Sequence, residues 1–161
     1  MHLFYVHCFL LYRVRKLKSI PLYLKPQLTS DARTCRLSLL VGMRNDPGKI
    51  VDSIDVQFQL PPCISTADLS SNCGTVNILS NKTCSWSIRR IPKDKTPSLS
   101  GTLVLESGLQ HLHVFPTFQL SFRIIGIALS GLQIDKLDLK NLPHHPYKGF
   151  RALTRAGHDV L

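Results

Sequence analysis

Apolar and polar positions alternate in short runs along this chain, and residues that favour turns separate the runs. In VDSIDVQFQLP (51–61), Ile54, Val56, Phe58 and Leu60 point one way while Val51, Ser53, Asp55 and Gln57 point the other. A period of two is the pattern of a half-buried strand. TCSWSIRRI (83–91) repeats it, with Cys84, Trp86 and Ile88 opposed to Ser85, Ser87 and Arg89. RLSLLVGMR (36–44) runs into the turn signal NDPGK (45–49). GTVNILS (74–80), SGTLVLES (100–107), FQLSFRIIGIAL (118–129), LQIDKLDL (132–139) and YKGFRALTR (147–155) read as further strands. No segment keeps apolar residues at i, i+3, i+4 and i+7 for three turns, and ISTADLSS (64–71) holds one helical turn at most. Roughly eight to ten short strands with turns between them predict an all-β sandwich.

The aromatic and β-branched run LFYVHCFLLY (3–12) suits a buried strand. It has no basic stretch before it and no small-residue cleavage site after it, as a secretory signal would. It is also shorter than the roughly 20 apolar residues that cross a bilayer.

Charge adds a preference for anionic partners. The chain carries 20 Lys and Arg against 10 Asp and Glu, for a net charge of +10. Arg13, Arg15, Lys16 and Lys18 form one basic stretch with no acid near it, and Arg89, Arg90, Lys93 and Lys95 form another beside Asp94 alone. Such patches fit a solvated strand end, an anionic lipid surface or nucleic acid, and the sign of the charge does not separate these. The five cysteines include no CxxC pair and read as reduced, mostly buried thiols of a cytosolic protein. His111 and His113 fall on one face of a strand but gain no third ligand, so no metal site is expected. His144 and His145 lie between prolines in a loop. No nucleophile elbow, phosphate loop or carboxylate pair is present, and neither enzymatic activity nor a cofactor is expected.

Two C-terminal segments, GIALSGLQIDKLDL (126–139) and PYKGFRALTRAG (146–157), resemble the end of clathrin-adaptor medium (mu) subunits. LLYRVRKLKSIPLYLKPQLTS, VGMRNDPGKIVDSIDVQFQLP, LSNKTCSWSIRRIPKDKTPSLSGTLVLE and LHVFPTF resemble the same family, so the likeness covers about residues 10–157. Within the family the chain most resembles the medium subunits of adaptor protein complex 3, plant forms in particular. The resemblance implies an elongated mu homology β-sandwich, with residues 1–161 forming part of one. The longin-like domain and the first strands of the mu homology domain would precede it.

What the family implies is recognition of tyrosine-based YxxΦ sorting signals in the cytosolic tails of membrane cargo. The peptide adds as a strand to a sheet edge. By resemblance, Arg151 falls beside the tyrosine, Phe150 lines the Φ pocket with Ile134 and Leu137, and Lys148 flanks the peptide. Gly149 stands where some members have tryptophan, which leaves the tyrosine pocket more open. Read without the resemblance, Ile134, Leu137 and Phe150 alternate as core residues of any strand do. The family also implies a peripheral cytoplasmic location on Golgi, endosomal or transport-vesicle membranes. Its partners would be other adaptor subunits and an anionic membrane surface, not nucleic acid. The stretch that contacts lipid in the endocytic relative appears here as GTVNILSNK, largely uncharged. The alternative is a basic β module for anionic lipid or nucleic acid, or a truncated product without cargo binding.

Overall fold

The computed structural model describes residues 20–109, 112, 114–133, 135–136 and 152–160, of which 156–160 are described as backbone only. These residues form strands and no helix: β1 (Leu22–Asp31), β2 (Thr34–Met43), β3 (Val51–Gln59), β4 (Ile64–Ser71), β5 (Thr75–Ile78), β6 (Thr83–Ile88), β7 (Ser98–Leu105), β8 (Phe118–Ile125) and β9 (Leu153–Val160). All pairings are antiparallel. One sheet has the order β1-β2-β7-β4, and the other β5-β6-β3-β8-β9.

One apolar cluster is shared by both sheets and forms the core of the sandwich. Cys35, Leu37, Leu39 and Val41 of β2 meet Leu99, Leu103 and Leu105 of β7 on the inner face of the first sheet. Val56 and Phe58 of β3, Cys84 and Trp86 of β6, and Leu120, Phe122 and Ile124 of β8 supply the other. Each fully buried side chain of this size contributes about 1.5–3 kcal/mol relative to exposure. Trp86 is completely buried, and its Nε1–H donates to the Cys73 carbonyl at 2.8 Å, so its polar atom is satisfied. The Phe58 and Phe118 rings, cross-strand partners, pack tilted with centroids 5.0 Å apart. The alternation read in β3 and β6 is thus the alternation of inside and outside.

Three expectations change. Val51 falls among the outward residues of the alternation but is buried, because the register of β3 against β8 slips between Asp52 and Asp55. Ser53 sits there with φ +49°, and this extra residue turns Val51 inward. ISTADLSS is strand β4 and not a helical turn. As an outer strand it buries only Ile64 fully, so its sequence lacks an apolar stripe, and its conformation comes from pairing with β7. In the stretch 132–139, residues 132, 133, 135 and 136 are irregular, not strand; Gly126 and Gly131, at φ +88° and +78°, bend the chain away from β8. The expected strand at 3–12, residues 147–151 of the strand expected at 147–155, and His111, His113, His144 and His145 lie outside the described residues; residues 153–155 of that strand fall in β9.

Backbone contact sets one further residue. Gly101 of β7 lies so close to β4 that a Cβ there would strike the Asp68 carbonyl and Leu69 Cα. Only glycine lets these two strands pair.

Candidate functional site

Two surfaces stand out among the described residues. The first is the edge strand β9. It pairs with β8 from Phe118↔Val160 to Ile125↔Leu153, and among the described residues its other edge meets no strand. The other outer strands are less open. β1 is interrupted by Pro26, which has no N–H to offer, and β5 is four residues long. β4 and β5 follow each other round one side of the sandwich, joined at Asn72–Gly74.

Thr154, near the start of β9, holds the chain that leaves β8. Its hydroxyl donates to the Ile127 carbonyl at 2.7 Å and accepts from the Leu129 N–H at 3.1 Å. The Gly126 N–H donates to the Ala152 carbonyl at 2.8 Å. The segment leading toward residue 134 is therefore stapled to the strand that begins just after residue 151. Ile125 and Leu153, directly opposite each other, are about half exposed and form an apolar pair at this corner. Next along the outer face, Arg123 grips Asp52 with two bonds, Nε to Oδ1 at 2.8 Å and Nη2 to Oδ2 at 3.2 Å. The bond from Arg123, more than its charge, holds the Asp52 carboxyl below its usual range.

The sequence-predicted recognition residues Lys148, Gly149, Phe150, Arg151, Ile134 and Leu137 all lie outside the described residues. So do Arg13, Arg15, Lys16 and Lys18 of the basic patch. The remaining four, Arg89, Arg90, Lys93 and Lys95, are exposed.

The second surface is a groove of about 1010 Å³ between the β2–β3 loop and the β6–β7 loop, with β1 beside it. Arg90, Lys93 and Lys95 line one wall, and Arg44 and Lys49 the other; Arg89 stays outside. Sequence reading missed Arg44 and Lys49, because NDPGK reads as a turn and the facing loop lies some forty residues on. Both walls are fixed by hydrogen bonds. Asn72 accepts from the Ser98 N–H at 2.9 Å, donates to the Thr96 carbonyl at 2.9 Å, and takes the Lys95 ammonium on its own carbonyl at 3.0 Å. Across the groove, Arg44 N–H donates to the Pro21 carbonyl at 2.6 Å, and Asp46 accepts from Gly48 N–H at 2.8 Å. Tyr23 is the cross-strand partner of Gly42, and its ring lies over that glycine where a Cβ would otherwise stand. Among the described residues no group of three or more His, Cys, Asp or Glu is placed to hold a metal ion.

The adaptor complexes medium subunit family model matches residues 9–160 of the chain. The chain belongs to the adaptor complexes medium subunit family. It is 70% identical over 146 residues to the AP-3 complex subunit mu of Arabidopsis thaliana, a match covering 91% of this chain and 35% of that relative. Identity to the AP-3 complex subunit mu-2 of Homo sapiens is 31% over 146 residues, covering 89% of this chain and 35% of that one. The chain thus spans about a third of the length of these adaptor relatives. Among solved structures it is similar to the Fcho1 mu homology domain of Danio rerio with bound Eps15 peptide. The TM-score is 0.52 at 17% identity, over 69% of this chain and 40% of that one. At that identity the likeness concerns the fold, and it agrees with the all-β sandwich.

Proposed function

We propose that this chain is the cargo-reading part of an adaptor medium subunit in vesicle-mediated transport between Golgi or endosome and vacuole or lysosome. It works as a part of a mu homology domain, peripheral to the membrane and in company with other adaptor subunits, and its role is binding, not catalysis. The observation that carries the reading is the open edge of β9 with the preceding segment stapled to it through Thr154. An extended peptide laid along such an edge gains main-chain hydrogen bonds, and pockets on alternate sides select its residues. In a YxxΦ signal the tyrosine and the Φ residue are three apart and so face opposite ways, which calls for chemistry on both faces of the receiving strand.

Arg151 stacks on or donates to the tyrosine. Phe150, Ile134 and Leu137 receive Φ, Lys148 flanks the peptide, and Gly149 leaves the tyrosine pocket more open. Family membership supports the reading, as does the bound peptide of the Fcho1 domain. Fluorescence anisotropy with a labelled YxxΦ peptide tests it. Binding is expected to be lost with a Tyr→Ala peptide and with the Arg151→Ala protein. Equal binding by the Tyr→Ala peptide would end this assignment.

A further inference from the structure

The groove between the two loops has a composition that strand addition at β9 does not use. Five cations line it, against two carboxylates, and Asp46 is turned to its own loop by the bond from Gly48. Among the described residues the ion pair at contact distance is Arg123 with Asp52; Arg90 acts on Asp52 only through its charge, and Arg44, Lys49 and Lys93 make no such contact with a carboxylate. Apolar side chains stand between the cations instead. Ile50 is 59% exposed, Met43 41% and Tyr23 36%, all in the same lining. The cations are hydrated and cost nothing where they stand, but three large apolar side chains exposed together within one polar-rimmed groove mark a contact surface.

We propose that this groove is a second docking site, and that its occupant is an acidic peptide segment carrying bulky apolar side chains. Charge complementarity gives the acids: the cations converge from two walls, so an extended chain between them meets positive charge on both sides. Tyr23, Met43 and Ile50 give the apolar requirement. Shape selects a peptide over a bilayer. A membrane meets protein along a plane and is served by protruding side chains, whereas these residues stand on two loops that flank an open groove of about 1010 Å³. The walls are also fixed in advance. Asn72 holds the 95–98 loop, Pro21 holds the start of the 44–50 loop, and Gly42 seats the Tyr23 ring, so little ordering remains for the ligand to supply.

The test uses the 161-residue chain and a fluorescein-labelled peptide of glutamates interrupted by leucines. Saturable binding is expected, weakening with added salt. The exposed double variant Lys49→Glu/Lys93→Glu should weaken it at least about tenfold, as removal of desolvated charge contacts does. Ile50→Ser should weaken it several-fold, and so should replacing the leucines of the probe by serine. Arg36→Glu, exposed at the far end of β2, should leave affinity unchanged, as should saturation with a YxxΦ peptide.

Three results would overturn the proposal: no binding by the unaltered chain, equal loss in Arg36→Glu, or indifference to Ile50→Ser and to loss of the leucines. Capture of phosphatidylserine vesicles through Lys49 and Lys93, with no competition from the peptide, would make the groove a membrane contact instead. Since the YxxΦ measurement is read separately, either site can fail while the other stands.

Discussion

Thr154→Val removes one hydroxyl and keeps nearly the same volume and the same β-branched preference for strand. The hydroxyl makes two hydrogen bonds, to Ile127 O at 2.7 Å and from Leu129 N at 3.1 Å. A hydrogen bond of this kind contributes about 0.5–1.5 kcal/mol net, so the pair is worth roughly 2 kcal/mol. Thr154 is half-buried, and water replaces part of what is lost, which argues against a larger figure. At 1.4 kcal/mol per factor of ten, local opening of the 127–131 segment becomes about thirty times more frequent. Amide hydrogen exchange at Leu129 reads this directly. The core amides of β3 and β6 should keep their rates, because they open only with the whole domain. If Leu129 exchanges at the unaltered rate in the valine variant, the staple does not hold this segment. In that case β9 is not an edge prepared by the Thr154 hydroxyl.

Three other changes follow from the packing. Gly101→Ala drives a Cβ into the β4 backbone, which cannot yield without parting β4 from β7, and should cost at least about 2 kcal/mol in a urea unfolding titration. An unchanged midpoint would contradict the close approach. Asp52 is held below its usual range by the Arg123 bond, so its contribution is present above the unfolded value near 3.9 and is lost as pH falls through the lower folded value. Asp52→Asn should therefore flatten the fall of Tm below about pH 4, and a parallel acid limb would refute the pairing. Burial pushes the Cys84 thiol up to about 11, so at pH 8 it should react with an aromatic disulfide reagent far more slowly than half-buried Cys63 and Cys73. Equal rates would show that the core admits reagent.

Much of the fold was legible because a half-buried strand writes its orientation into alternate residues. Cys84, Trp86 and Ile88 of β6 are all buried, as their spacing predicts, and the same holds for Ile54, Val56 and Phe58 of β3. Legibility failed where the cause is tertiary. β4 is a strand because β7 offers it hydrogen bonds, and its small polar residues show nothing of that. The bulge at Ser53 inverts Val51 without any glycine to announce it. β1, with LYLKPQLTSD, entered only through the family likeness, since Pro26 and its polar residues dilute the pattern.

The candidate surfaces divide in the same way. The basic half of the groove at Arg90, Lys93 and Lys95 was visible as a charge run, while Arg44 and Lys49 face it only because β2, β3, β6 and β7 end together. Thr154 read as one more strand residue. Its importance lies in two hydrogen bonds to a segment some twenty-five residues earlier, which alternation does not encode.

Strand addition at β9 makes one demand that pocket binding elsewhere does not. Amides along the free edge of the strand must become protected when peptide binds. Hydrogen exchange over residues 147–160, with and without a saturating YxxΦ peptide, tests this most directly. The account predicts slowed exchange at alternate amides of that stretch, absent with the Tyr→Ala peptide. Peptide binding with no added protection there would contradict it and place the signal on another surface of the sandwich.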